Sequence, residues 1–182
     1  MKNILLIGAS RAGKTTFTKM VSKKYQIIDG DAIREAYKII INKNTSLCSH
    51  EVGQLEEYQK FIIEVYKKYI KYNKHLRYIL DTVDILPSQI NLFDDANTLM
   101  IVFGYPTLKA EDVVAMQRKY DTCDDWTFHL SDQTLLNYAN YWIQKSKEYE
   151  AECRRLHIKF VDTSCNRQEV LCELLEWLGK QN

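Results

Sequence analysis

The sequence predicts an α/β protein built in three layers, α/β/α, around a five-stranded parallel sheet. Three observations carry that expectation. Five short apolar runs alternate with stretches whose apolar residues recur at helical spacing. Such alternation implies right-handed crossovers and a parallel sheet covered on both faces. Four of the five strand ends carry polar or phosphate-binding groups, and parallel sheets bind their ligands there.

The first strand is Lys2-Asn3-Ile4-Leu5-Leu6-Ile7, an apolar run stopped by a glycine. Gly8-Ala9-Ser10-Arg11-Ala12-Gly13-Lys14-Thr15 follows at once, and Phe17, Met20 and Val21 then repeat at helical spacing. The stretch fits G-x-x-x-x-G-K-[ST] in the strand-to-helix setting expected of a phosphate loop. Gly8 and Gly13 let backbone N–H groups close around phosphate oxygens. The helix N-terminus adds partial positive charge. Lys14 reaches the β- and γ-phosphates, and the Thr15 hydroxyl can hold Mg²⁺. The expected nucleotide-binding set is Gly8, Ala9, Ser10, Arg11, Ala12, Gly13, Lys14, Thr15 and Thr16. An ordinary glycine-rich turn would leave Lys14-Thr15 unexplained.

Gln26-Ile27-Ile28-Asp29 is the second strand, ended by Gly30-Asp31. Ile33, Ala36, Tyr37, Ile40 and Ile41 then mark a helix, with Asp31 as its N-cap or a first-turn residue. After a polar loop, Val52 to Tyr72 reads as one helix. Its stripe is Leu55, Tyr58, Ile62, Val65 and Tyr69, and Lys60, Lys67, Lys68 and Lys71 form a solvated face. The third strand is Arg77-Tyr78-Ile79-Leu80, ending at Asp81, and Leu86-Pro87-Ser88 opens a short helix. Thr98 to Phe103 is the fourth strand, closed by Gly104-Tyr105-Pro106. A helix over Glu111 to Lys119 leads into an irregular acidic and aromatic stretch containing Asp124, Asp125, Trp126, Phe128 and His129. Ser131-Asp132 caps a long helix. Ile158 to Val161 is the fifth strand, Asp162-Thr163-Ser164 a turn, and Val170, Leu171, Leu174, Leu175 and Leu178 build the last helix. Trp142 and Trp177 read as core.

A chain of 182 residues is expected to form one domain, with a helical acceptor-side insertion at about 43–76 and a lid-like segment at about 119–132. Twenty-five basic against 24 acidic residues create no field that would draw nucleic acid or an anionic membrane. No run reaches transmembrane length, and no signal peptide is read. Five cysteines, never spaced C-x-x-C, fit a reduced, cytoplasmic protein without a zinc site. The expected form is a monomer or homodimer.

Asp31 stands where an acceptor would face the γ-phosphate, and a carboxylate there orients or deprotonates a hydroxyl. Arg34, one turn on, could clamp a carboxylate or phosphate on the acceptor; the plainer reading is a surface arginine. Asp81, at the end of an apolar strand, is the expected holder of Mg²⁺ through water. Asp84 is its understudy and a further acceptor-side residue.

With these residues the chain resembles the nucleotide- and small-molecule-kinase branch of P-loop NTPases. Asp29-Gly30-Asp31 with Arg34 looks like the D-G-D-x-x-R of adenylylsulfate kinases. Tyr78-Ile79-Leu80-Asp81 with Pro87 is similar to the third-strand segment of adenylate kinases, whose aspartate serves the metal. Glu111-Asp112-Val113-Val114 to Arg118 resembles their approach to the lid. Val161-Asp162-Thr163-Ser164 looks like the adenine-lining loop of shikimate- and adenylate-kinase-like folds. The resemblance implies ATP and Mg²⁺ as cofactors, Thr163 and Ser164 at the nucleotide, and Arg118 as the lid arginine over the phosphates. It implies phosphoryl transfer to a small-molecule acceptor, with Lys14, Asp31 and Arg118 as the catalytic residues. Two departures stand out: Tyr120 to Gln144 contains neither Arg nor Lys, and Thr82-Val83 replaces the expected glycine-arginine. Two rivals remain, a nucleoside or nucleoside monophosphate kinase and an ATP-binding regulator with little turnover. A GTPase is disfavoured because Asn73-Lys74-His75-Leu76 fails N-K-x-D at its last position.

Overall fold

The structure, a computed structural model, describes residues 2–42, 46–93, 97–123 and 125–181. Asp124 of the acidic stretch lies outside the described residues. The strands are β1 Asn3–Gly8, β2 Gln26–Asp29, β3 Tyr78–Asp81, β4 Thr98–Gly104 and β5 Lys159–Asp162. Every pairing is parallel, in the spatial order β2-β3-β1-β4-β5. The helices are α1 Lys14–Val21, α2 Gly30–Ile41, α3 Ser49–Gln54, α4 Glu56–Tyr72, α5 Ala110–Tyr120, α6 Asp132–Leu156 and α7 Arg167–Gly179. The predicted five-stranded α/β/α architecture is therefore present, with each strand within a residue or two of its expected bounds.

β1 lies at the centre and is buried along its whole length, as expected of a strand covered on both faces. Its alternate residues divide the core. Ile4 and Leu6 join one apolar cluster with Phe17, Phe103, Leu135 and Leu174. Leu5 and Ile7 join the other with Tyr58, Ile62, Leu80 and Val102. Because β1 is flanked by β3 and β4, the ends of all three strands converge on the loop after Gly8.

Three sequence expectations need correction. The helix expected over Val52 to Tyr72 is two helices, broken at Leu55, whose backbone is extended (φ −68°, ψ 128°). The break lets α3 bring Gly53 against Asp84 while α4 turns a different face to the sheet. The buried stripe of α4 is Tyr58, Ile62, Ile63 and Tyr66, and Tyr69 is 46% exposed. The short helix after Leu86 is a 3₁₀ helix, Pro87–Phe93.

The caps follow side-chain chemistry. Asp29, not Asp31, caps α2: its Oδ1 accepts from the Asp31 N–H at 2.9 Å and the Ala32 N–H at 3.1 Å. Asp31 is thereby a first-turn residue with its own carboxylate uncommitted to capping. Ser131 caps α6 as expected, accepting from the Thr134 N–H at 3.2 Å. His157 ends α6 in the left-handed region (φ 56°). No helix of the described residues is long and apolar enough to cross a membrane.

The cap assignment separates two neighbouring aspartates. Asp29→Ala should cost about 1 kcal/mol in urea unfolding, with Asp29→Ser recovering most of it, whereas Asp31→Asn should leave the midpoint nearly unchanged. A large stability loss in Asp31→Asn alone would reverse the assignment.

Candidate active site

The loop after β1 is shaped by close backbone contact. Gly8 has φ 136°, and a Cβ there would stand 2.0 Å from the Phe103 carbonyl oxygen, so only glycine fits. Three props then hold the loop from neighbouring elements. The Ala9 N–H donates to the Phe103 carbonyl at 3.0 Å. The buried Tyr105 hydroxyl donates to the Ser10 carbonyl at 2.7 Å. The buried Thr163 hydroxyl donates to the Ala12 carbonyl at 3.0 Å and to the Gly104 carbonyl at 3.1 Å. The carbonyls of Gly8, Ala9, Ser10 and Ala12 are thus bonded from behind the loop.

Lys14 is buried inside this loop, and its Nζ donates to the Gly8 and Ala9 carbonyls at 3.1 Å each. Burial lowers its pKa, opposed by the charges of Asp81, Asp31 and Asp84. Thr15 and Thr16 lie exposed at the start of α1. Asp81 is pushed up to about 6 by burial, with Lys14 opposing and Asp31 and Asp29 adding to the rise. A carboxylate kept in so poor a solvent gains strongly from a cation.

Arg34 and Asp84 form a buried pair. Arg34 Nη1 lies 2.9 and 3.0 Å from the two Asp84 oxygens and 2.9 Å from Asp31 Oδ1. The Thr82 hydroxyl donates to Asp84 Oδ2 at 3.2 Å. Burial works against the Arg34 charge, but Asp84 and Asp31 outweigh it and raise its pKa. The Tyr58 hydroxyl donates to the Gly30 carbonyl at 3.1 Å, and burial raises its pKa.

The segment after α5 is clamped at both ends. Arg11, in the left-handed region at φ 63°, reaches from the loop to Asp121 Oδ1 at 3.0 Å, Asp125 Oδ1 at 2.8 Å and the Thr127 hydroxyl at 3.0 Å. Thr127 in turn donates to Asp121. Arg118 bonds the carbonyls of Phe128 (3.0 Å) and Leu130 (2.5 Å) and the Asp132 carboxylate (2.7 Å). Arg118 thus holds its own segment. Trp126 is 57% exposed and meets Tyr138 and Trp142 edge-on.

Of the expected site residues, Arg34, Asp31 and Asp84 are in direct contact, and the charges of Asp81, Asp31 and Asp84 act on Lys14. The Thr163 hydroxyl, in contrast, is turned into the loop's support, and Ser164 Oγ accepts from the Thr107 N–H at 3.3 Å. Sequence reasoning missed Tyr105, Thr82, Tyr58 and Arg167. The Arg167 side chain lies over the loop, with Cδ 3.4 Å from where a Cβ on Gly13 would stand. Its Nη2 is 3.8 Å from Met116 Sδ. A cation in the first turn of a helix opposes the helix dipole; that was a readable signal for Arg167.

The donor set suits a nucleotide and magnesium. Among the described residues no group of three or more His, Cys, Asp or Glu could cage a metal. Mg²⁺ would instead depend on phosphate oxygens and water, with Thr15 and Asp81 as protein side chains, in keeping with its chemistry.

No family model matches the sequence, and no curated protein matches it. Solved structures do match by shape. A shikimate kinase from Acinetobacter baumannii in complex with shikimate has a TM-score of 0.60 and 13% identity, over 100% of this chain and 95% of that one. A gluconokinase from Sinorhizobium meliloti has a TM-score of 0.54 and 16% identity, over 100% of this chain and 97% of that one. The chain has the fold of the P-loop small-molecule kinases. That fold puts the carboxyl ends of β1, β2 and β3, where Lys14, Asp31 and Asp81 stand, at its ligand-binding edge.

The raised Asp81 pKa has a definite sign. An aspartate ordinarily titrates near about 3.9, so the folded state holds the proton more tightly. The charged form costs stability above about 6, and the cost is relieved as pH falls from about 6 to about 4. The stability of Asp81→Asn relative to the unsubstituted protein should therefore rise between pH 4 and pH 8, by up to about 3 kcal/mol. Denaturant titrations across that range would show it, and a flat difference would rule out the burial effect.

Proposed function

We propose that the protein is an ATP-dependent phosphotransferase that moves the γ-phosphoryl group of Mg·ATP to a hydroxyl of a small-molecule acceptor. The observation that carries this reading is the buried Lys14 held inside the braced loop after β1 by the Gly8 and Ala9 carbonyls, beside β3, which ends at Asp81. Likeness in fold to a shikimate kinase and a gluconokinase supports the same class.

The residues divide the work. Backbone N–H groups of Gly8 to Thr16 bind phosphate oxygens. Lys14 leaves the Gly8 and Ala9 carbonyls and lays its ammonium on the terminal phosphates, where it stabilises charge as it develops. Magnesium, when bound, neutralises the bridging and terminal phosphate oxygens; Thr15 and Asp81 are the side chains that would hold it. Asp31 accepts the acceptor's hydroxyl proton as that oxygen bonds to the terminal phosphorus. The bond from phosphorus to the bridging oxygen breaks and leaves ADP. Arg34 and Asp84 set the floor of the acceptor pocket, α3 and α4 its wall, and residues 119–132 the cover on the nucleotide side, with Ser164 and the Thr163-braced turn beside the base. Arg118 orders that cover; Arg11 and Arg167 are the cations nearest the loop.

One observation favours a second reading, an ATP binder with little turnover. Arg11 and Arg118 both have acidic partners, and a free arginine at the transferring group is worth about 10³–10⁵ in rate.

The deciding experiment is ADP release from Mg·ATP across nucleosides, nucleoside monophosphates and small hydroxylated metabolites. Stimulation by one acceptor, reduced at least about a hundredfold in Lys14→Ala and strongly in Asp31→Asn, is the expected outcome. ATP binding with no acceptor-dependent release would select the second reading.

A further inference from the structure

Arg34 was expected to receive an anionic group of the acceptor, and its surroundings argue the opposite. The guanidinium is only 13% exposed, and Asp84, its partner, 5%. Nη1 bridges both Asp84 oxygens, and Asp31 Oδ1 closes on the same nitrogen from the other side. The Asp84 carboxylate cannot swing away. The Thr82 hydroxyl donates to it, and its own backbone N–H donates to Thr82 Oγ1 at 3.1 Å. On its remaining side, a Cβ on Gly53 would stand 2.3 Å from Asp84 Oδ1, so the backbone of α3 closes the carboxylate in. Glycine at position 53 is what permits the pair to be covered at all.

Among the described residues, the cations beside the pair already have partners. Asp29, Asp31, Asp81 and Asp84 stand at the ends of β2 and β3. Asp81, Asp31 and Asp84 bear on Lys14, which belongs to the loop after β1, while Asp84 and Asp31 both hold Arg34 through its Nη1. Lys38, the next basic residue of α2, bonds Glu35 at 3.3 Å and the Ser49 hydroxyl at 2.9 Å. On α4, Lys60 pairs with Glu56 and Lys67 with Glu64. Of the two carboxylates on Arg34, Asp31 is the one open to solvent, 63% exposed; it attracts hydroxyl donors and ammonium groups and repels carboxylates and phosphates.

We propose that Asp84, by neutralising Arg34, makes the acceptor pocket reject anions, so that the molecule phosphorylated carries no negative charge. The class is a neutral polyol, a nucleoside or an amino alcohol, and it excludes nucleoside monophosphates and sugar acids. Asp84 acts here through Arg34 and is a specificity-determining residue. The proposal rests on the kinase reading but is tested separately from it.

The test has two arms. In the first, inorganic phosphate is titrated calorimetrically into the protein saturated with Mg²⁺ and AMP-PNP, which fills the γ-phosphate position. The unsubstituted protein should show no millimolar phosphate site. Asp84→Asn, which removes the buried one of the two carboxylate charges on Arg34, should gain one, and Arg34→Gln added to that variant should remove it. Phosphate binding by the unsubstituted protein that Arg34→Gln abolishes would overturn the proposal, as would failure of a folded Asp84→Asn to gain a site. Should Asp84→Asn not fold, the unsubstituted protein against Arg34→Gln decides. In the second arm, ADP release is compared for matched acceptors: adenosine against AMP, and glucose or glucosamine against gluconate. Stimulation by an anionic member and not by its uncharged counterpart overturns the proposal and leaves the kinase reading standing. Failure of AMP-PNP to bind would overturn both.

Discussion

The contact between Gly8 and the backbone of Phe103 is the constraint on which the site depends. β1 is paired with β4 to its last residue, with Gly8 opposite Phe103. At that register the chain must leave the sheet without a side chain in the way, and Gly8 does so at a φ that other residues rarely adopt. The loop then turns back over the strand ends and places Lys14 above β1 and beside β3. Gly30 meets a similar limit one strand away: a Cβ there would stand 2.6 Å from Thr82 Cβ. Two close approaches therefore fix where the phosphate loop and the start of α2 sit relative to β3, and with them the spacing of Lys14, Asp31 and Asp81.

Electrostatics follows from that spacing. Lys14 is buried and held by the Gly8 and Ala9 carbonyls, and its charge and that of Asp81 each oppose the effect of burial on the other. Burial lowers the lysine pKa and raises that of the aspartate, which means the empty site holds its charges at a cost. In the proposed reaction, a polyphosphate with a divalent ion would supply partners for both. Preorganisation of this kind lets the loop bind without reorganising its backbone.

Much of this was legible in the sequence, for physical reasons that differ by element. The central strands β1, β3 and β4 were readable because a strand buried on both faces must be an apolar run, and the partly buried edge strands β2 and β5 were readable as short apolar runs closed by Asp29 and Asp162. The phosphate loop was readable because its glycines, lysine and threonine are needed by type. What could not be read depends on distant chain segments meeting. Tyr105 and Thr163 support the loop across 95 and 151 residues, and nothing local marks a tyrosine or threonine as a prop. The break at Leu55 was invisible because helical periodicity continues through it, with only the register of the buried face shifting. The Arg34–Asp84 pair spans 50 residues; each member was identified as an acceptor-side residue, but not that they would satisfy each other. The acidic stretch was noticed without its partner, since Arg11 lies 114 residues from Asp125.

The long helix α6 has a consequence for how the molecule comes apart. Its first half, through Leu135, Ala139, Trp142 and Ile143, belongs to one apolar cluster. Its second half, through Tyr149 and Cys153, belongs to the other. At a rise of about 1.5 Å per residue it is a single rod of about 37 Å stitched into both sides of the sheet. Partial opening of either side strips apolar partners from the same rod. The two layers are thereby coupled into one cooperative unit, and amide protons on opposite faces of the sheet should exchange through a common opening rather than independently.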